Sequence, residues 1–155
     1  MNLASLLSKE RINLQIKSSK KEDIIADLVY LIKKGSDAEL IIHTLLKREE
    51  LGSTGIGKGV AIPHCRSLAV EKLEIAVGRT AKPVNYNAID RKPVDLFFLI
   101  IAPPQDPGNQ YLITLGKIVQ IAKELTKKNS LDEIKTTDEF VGLINLIEKD
   151  LAKRK

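Results

Sequence analysis

The sequence predicts an α/β fold: a single domain in which a mixed β-sheet is flanked by helices on both faces. Three observations carry that expectation. Val94–Ala102 is a nearly continuous apolar run, the mark of a strand buried on both faces at the centre of a helix-covered sheet. Apolar periods switch along the chain in the order β-α-α-β-β-β-α-α. The length, 155 residues, suits one sizeable core rather than two, and residues 1–155 read as one domain without linker, repeat or low-complexity segment.

The elements follow in order. Ile12, Leu14 and Ile16 alternate with Asn13 and Gln15, which predicts a strand over Ile12–Ile16. Ser18 and Ser19 are the expected N-caps of a helix from about Lys20 to Lys34, closed by Gly35 at C′. Ser36 with Glu39 is a capping-box signature for a second helix that stops near Gly52. Val60–His64 and Leu73–Thr80 have strand character, and Asn85, Asn87 and Asp90 mark turns before the strand Val94–Ala102. Pro103, Pro104, Pro107 and Gly108 end that strand. A long helix is expected over about Asn109–Lys127, and a last one after Thr136, where Glu139 completes another capping box.

Composition narrows the function classes. With 43% hydrophobic and 29% charged residues the chain reads as soluble and globular. The net charge of +5 is mild, and residues 51–100 hold seven basic against four acidic side chains, so an electropositive site is best sought there. Six aromatics and no basic stripe argue against nucleic acid as a partner. One cysteine, Cys65, cannot form an internal disulfide. Lys9, Glu10 and Arg11 interrupt the N-terminal apolar residues too early for a signal peptide. The run Leu96–Ala102 is far short of a bilayer span. The expectation is a cytoplasmic protein without direct membrane insertion.

Chemistry concentrates in Gly52–Gly59, GSTGIGKG. Gly52–Lys58 match a phosphate-binding P-loop up to its last position, where Gly59 replaces the magnesium-binding hydroxyl. A P-loop also leads into a helix, whereas VAIPH, with its β-branched residues and Pro63, opposes one. Two readings remain for the glycines: a flexible turn, or a loop whose N–H groups, with the Ser53 and Thr54 hydroxyls, line an anion site. His64 lends weight to the second. Following Pro63, it is expected at a strand end, where a histidine serves as ligand, base or nucleophile. Metal is disfavoured because Cys65 would point to the opposite face, and no Ser-His-Asp motif appears. Arg48, Lys58 and Arg66 surround the loop in sequence. By contrast His43 falls opposite the apolar arc of Ala38, Ile41, Ile42, Leu45 and Leu46, as a solvated side chain would. Arg48 lies at the edge of that arc, either as a surface arginine or as a fork for a phosphoryl group.

Arg48-Glu49-Glu50-Leu51-Gly52-Ser53-Thr54-Gly55-Ile56-Gly57, followed by Gly59-Val60-Ala61-Ile62-Pro63-His64, resembles the type-2 IIA domain of the bacterial phosphoenolpyruvate:sugar phosphotransferase system. Within that family it is most similar to the nitrogen-regulatory IIA proteins, and the likeness extends over nearly the whole chain. The resemblance implies that His64 is the phosphoacceptor, charged by an HPr-type phosphocarrier protein. It implies that Arg48 assists and that Ser53, Thr54 and Gly55 frame the phosphoryl group. Family members commonly carry a second histidine where Tyr111 precedes Leu112, so Tyr111 stands as its replacement.

Neutral imidazole is a nucleophile near pH 7, and such transfer rests on positioning and charge. The expected function is that of a phosphoryl carrier with a phosphohistidine intermediate, no cofactor and no metal. Its output would be regulatory, through target proteins that read its phosphorylation state. The alternatives are a fructose- or mannitol-type IIA subunit serving a IIB partner, and a binding module that is not phosphorylated, suggested by Tyr111.

Overall fold

The computed structural model describes residues 2–127 and 130–154. Its elements are β1 (Ile12–Ile16), α1 (Lys21–Tyr30), α2 (Gly35–Leu51), β2 (Gly55–Gly57), β3 (Val60–Ala61), β4 (His64–Arg66), β5 (Glu74–Val84), β6 (Val94–Ala102), α3 (Gln110–Lys127) and α4 (Thr137–Lys153). The strands form one mixed sheet in the order β1-β5-β6-β3-β2, and β4 also pairs with β6. β5 runs antiparallel to β6, while β3 and β4 lie parallel to it.

Period-2 alternation divides the core between the two faces. Phe97, Leu99 and Ile101 pack with Ile24, Ile25 and Leu28 of α1 and with Ala38, Ile41 and Leu45 of α2. Leu96, Phe98, Ile100 and Ala102 pack with Ile118, Ile121 and Leu125 of α3 and with Phe140 and Ile144 of α4. The buried strand expected at Val94–Ala102 is therefore the centre of the sheet, covered on both sides.

β3 and β4 are one strand interrupted. Val60 pairs with Leu96, Ala61 with Phe97, His64 with Ile100 and Cys65 with Ile101, so the register against β6 is the same before and after the break. Pro63 has no N–H to give to a ladder, but its carbonyl accepts from Ile100 N–H at 3.1 Å. Parity then fixes directions: Val60 and Ile62 belong to the α3/α4 side, Ala61 and Cys65 to the α1/α2 side. His64 and Arg66 follow Val60 and Ile62 on the side of α3.

The structure corrects several local expectations. α1 begins at Lys21 without a side-chain cap and ends at Tyr30, and Ser18 Oγ instead donates to Asp27 Oδ2 at 2.6 Å. Gly35, at φ +65°, opens α2 rather than closing α1. The Ser36–Glu39 capping box does not form, because the helix already starts at Gly35 with Lys34 at its N-cap. The glycine-rich run contributes β2, an edge strand antiparallel to β3 that was not expected. β5 continues past Thr80 to Val84. In β1 a register shift between Asn13 and Ile16 turns Ile16 away from Ile12 and Leu14 onto the α1 face. There it fills the space beside Gly78, where a Cβ would overlap Ile16 and Leu28. The second capping box does form: Glu139 N–H donates to Thr136 Oγ1, and Thr136 N–H donates to Glu139 Oε1, each at 3.1 Å.

Candidate functional site

Three chain segments converge on His64. It opens β4, half-buried, just after the Pro63 break. α3 brings Tyr111, whose ring centre lies 5.9 Å from that of the imidazole. The N-terminus of α3 is fixed by Asp106, whose carboxylate accepts the N–H groups of Gln110 at 3.1 Å and Tyr111 at 2.8 Å. α2 packs against β4 and ends at Arg48–Leu51, with Arg48 Nη1 donating to the Gly52 carbonyl at 2.9 Å.

The imidazole is oriented by its own backbone. Nδ1 lies 2.6 Å from the Ile62 carbonyl oxygen. A carbonyl only accepts, so Nδ1 carries the proton and Nε2 keeps its lone pair. That is the tautomer a nucleophile needs. Cys65 turns to the opposite face, where burial pushes its thiol up to about 12. It is inert beside the histidine.

Tyr111 is 9% exposed. Burial raises its phenol to about 12, the neighbouring Cys65 adds to this, and the guanidinium groups of Arg66 and Arg48 oppose it. The phenol is therefore neutral near pH 7, a hydrogen-bond donor rather than a charge. Arg66 Cζ lies 4.6 Å from the centre of the Tyr111 ring.

The glycine loop faces inward more than the sequence suggests. Thr54, 5% exposed, directs both its hydroxyl and its N–H to the Glu49 carboxylate. The Gly55 N–H donates to Ser53 Oγ at 3.0 Å, and Ser53 Oγ donates to the Tyr86 carbonyl at 3.2 Å. In this structure Thr54 and Gly55 thus serve the loop itself, a change from the expected role of framing an anion. Gly55 has a further steric reason to be glycine, since a Cβ there would sit 2.7 Å from the Ala88 Cβ. Lys58, at φ +56° in the turn between β2 and β3, donates its N–H to Asp90 and belongs to the other end of β3. His43 and Lys47 are exposed on α2, away from the apolar arc.

Beneath the loop is a network that the sequence reading did not anticipate. Glu49 pairs with Lys21 Nζ at 2.7 Å, with side-chain exposures of 5% and 16%. Tyr86 donates its hydroxyl to Glu49 Oε1 at 3.1 Å, and Lys21 lies 4.2 Å over the Tyr86 ring. Burial and the adjacent Glu49 both raise the Tyr86 phenol. A signal was available: Glu49 stands four residues after Leu45 and eleven after Ala38, on the buried stripe of α2.

Among the described residues, no group of three or more His, Cys, Asp or Glu could hold a metal ion. No described helix is long and apolar enough to cross a membrane. The arrangement brings together one oriented imidazole, a neutral phenol and the Arg66 guanidinium, with Arg48 at the end of α2.

Residues 5–147 match the family described as phosphoenolpyruvate-dependent sugar phosphotransferase system, EIIA 2. The chain belongs to this family. The nitrogen regulatory protein of Bradyrhizobium diazoefficiens is 31% identical over 126 residues, covering 80% of this chain and 82% of the relative. That of Pseudomonas aeruginosa is 29% identical over 150 residues, with 95% of each chain covered. The fructose-specific EIIABC component of Bacillus subtilis is 33% identical over 152 residues, 96% of this chain, but the chain spans only 24% of that relative's length. In structure, the nitrogen regulatory protein IIA-Ntr of Neisseria meningitidis superposes with a TM-score of 0.78 at 29% identity, covering 92% of this chain and 98% of that one. This type-2 IIA chain thus lies close to the nitrogen-regulatory members, and membership carries with it the role of a phosphoryl carrier.

Proposed function

We propose that the chain accepts a phosphoryl group on His64 Nε2 from the phosphohistidine of an HPr-type carrier and acts mainly as a regulatory IIA protein. The observation that carries this reading is the Nδ1–H bond to the Ile62 carbonyl, which leaves Nε2 as the nucleophile. Its lone pair attacks phosphorus as the N–P bond of the donor breaks. The donor ring, protonated on its other nitrogen, leaves as a neutral imidazole. His64 becomes a phosphoimidazolium whose Nδ1 keeps its proton, still donated to the Ile62 carbonyl, so charge and protons balance. Arg48 meets the phosphoryl oxygens, and Tyr111 positions or shields phosphohistidine without being phosphorylated. Ser53, half-buried with its hydroxyl held between the Gly55 N–H and the Tyr86 carbonyl, shapes the loop beside them together with Thr54 and Gly55.

Exposed apolar side chains suit a protein donor. Leu51 at the end of α2 and Leu68 beyond β4 are each 85% exposed, and Leu112 adjoins Tyr111. Such residues around the nucleophile favour docking of another protein over capture of a free metabolite. Regulatory output is favoured by relatives that match along nearly their whole length and are nitrogen regulatory proteins. The fructose-specific relative supports the second reading, a IIA subunit that passes phosphate to a IIB partner.

The test is incubation with a phosphorylated HPr-type protein, followed by intact-mass analysis and phosphosite mapping. Label confined to His64 is expected, and an unlabelled chain would return the non-phosphorylated binding module as the better reading. A chase with candidate IIB proteins then separates the two outputs: retained phosphate favours regulation, rapid loss favours transport.

A further inference from the structure

A second arginine, Arg66, stands two residues beyond His64 on β4. Side chains alternate along β4, so His64 and Arg66 share the α3 face while Cys65 takes the other. Arg66 Cζ lies 4.6 Å from the centre of the Tyr111 ring, and the His64 imidazole approaches the same ring at 5.9 Å. Tyr111 is thus a flat plate shared by the nucleophile and a cation. Arg66 Nη1 donates to the Pro103 carbonyl at 3.0 Å and lies 3.8 Å from Asp106 Oδ2, the carboxylate that caps α3.

These contacts hold the guanidinium without consuming it. Its fork has five N–H donors, and both polar contacts run through Nη1. The edge formed by Nε and Nη2 is left to meet an acceptor. A phosphoryl group brings close to two negative charges, more than one arginine offsets, and Arg48 spends Nη1 on the Gly52 carbonyl.

We propose that Arg66 is a second phosphoryl-binding residue, which holds the oxygens of phosphorylated His64 through its Nε and Nη2 edge while the Tyr111 ring orients the guanidinium. The proposal rests on His64 as phosphoacceptor. Arg66 makes and breaks no covalent bond. The N–P exchange is the one described above, and the arginine lowers the cost of charge gathering beside Nε2. Tyr111 is then a positioning residue for Arg66 as well as a neighbour of His64.

Two donors separate this proposal from the reading beneath it: a phosphorylated HPr-type protein, and phosphoramidate, a small phosphoryl donor that needs no docking. Arg66→Gln should slow labelling of His64 about 10-fold with both donors and shift the phosphorus-31 resonance of the phosphorylated protein. Arg66→Lys should recover only part of the rate, because charge returns without the planar fork or the stack. Tyr111→Leu should slow labelling in the parent and add little in the Arg66→Gln background. Urea midpoints within the parent range are expected for the arginine variants, since the side chain is 39% exposed. If Arg66→Gln fails to fold, Arg66→Lys carries the comparison.

Parent-like rates and resonance in Arg66→Gln would overturn the proposal. A loss seen with the protein donor alone would also overturn it, by assigning Arg66 to docking. Fully additive effects of Arg66→Gln and Tyr111→Leu would remove the plate. A parent labelled by phosphoramidate but not by the HPr-type protein sinks the choice of donor and leaves the Arg66 comparison standing. A parent labelled by neither ends both.

Discussion

The His64 cluster and the Glu49 network lie on opposite sides of one loop and obey opposite rules. Around His64 only Tyr111 is buried, the imidazole is oriented by a single backbone bond, and Arg66 holds its place through one guanidinium nitrogen. Around Glu49 every group is tied: Lys21, Thr54 and Tyr86 all converge on one carboxylate. Adjacent residues of α2 are dealt to the two regions in turn, Arg48 to the surface and Glu49 to the interior. A helix turns about 100° per residue, which is enough to separate neighbours so completely. The lesson is that a continuous motif need not be a continuous site. Half of it handles the ligand, and half holds the loop that handles the ligand.

The comparison breaks most sharply at the histidine. His64→Ala should abolish phosphorylation by an HPr-type donor and change unfolding free energy by only about 1 kcal/mol. His43→Ala should do neither. Phosphosite mapping and urea melts on the two proteins check both halves, and robust labelling of His64→Ala would remove His64 as acceptor.

Glu49→Ala should show the reverse pattern, with stability lost first. It leaves the largely buried Lys21 ammonium with only the Tyr86 carbonyl and ring as partners, a loss of up to about 3 kcal/mol. Chemical denaturation followed by circular dichroism measures the loss. A change below about 1 kcal/mol would mean that the network is not a structural support.

Arg48→Ala and Lys47→Ala test whether one position along α2 changes the role. Transfer onto His64 should slow about 10-fold for Arg48→Ala, with Lys47→Ala at the parent rate because its side chain is exposed on the outer face. Equal rates would take Arg48 out of the site.

The smallest effect is expected at Tyr111→Phe, which keeps the ring and removes one hydroxyl. Because burial pushes that phenol up to about 12 and so keeps it neutral near pH 7, the variant loses a donor and no charge. Labelling at His64 should persist, with transfer rate or phosphohistidine lifetime altered about 2- to 10-fold. Kinetics and lifetime matching the parent would leave Tyr111 as a packing residue.

How far the sequence could be read is clearest from its two capping-box signatures. Thr136–Glu139 forms the box and Ser36–Glu39 does not, although the spacing is the same. The helix is already under way at Ser36, with Lys34 at its N-cap, so no side-chain cap is made there. The central strand was legible because its nine positions are almost all apolar, whereas His64, expected at the end of a strand, opens β4 because the ladder to β6 resumes directly after Pro63. The Glu49 network was not. Its partners Lys21 and Tyr86 come from α1 and from the loop after β5, and only folding brings them under α2. The hydroxyl of Thr54 misled for a related reason, since a glycine-rich loop gives no local sign of which face its side chains take.

The unbroken register across Pro63 has a consequence for how the gene coding for this fold tolerates change. Between Ala61 and His64 the chain is counted against β6 residue by residue, so the site is written in a reading frame of two. One added residue there would carry His64 and Arg66 through the sheet to the α1 side and bring Cys65 out in their place. Two added residues would restore the faces but move the imidazole one pleat along, off its station opposite Tyr111. The spacing from Val60 to His64 is as much a part of the site as the imidazole itself.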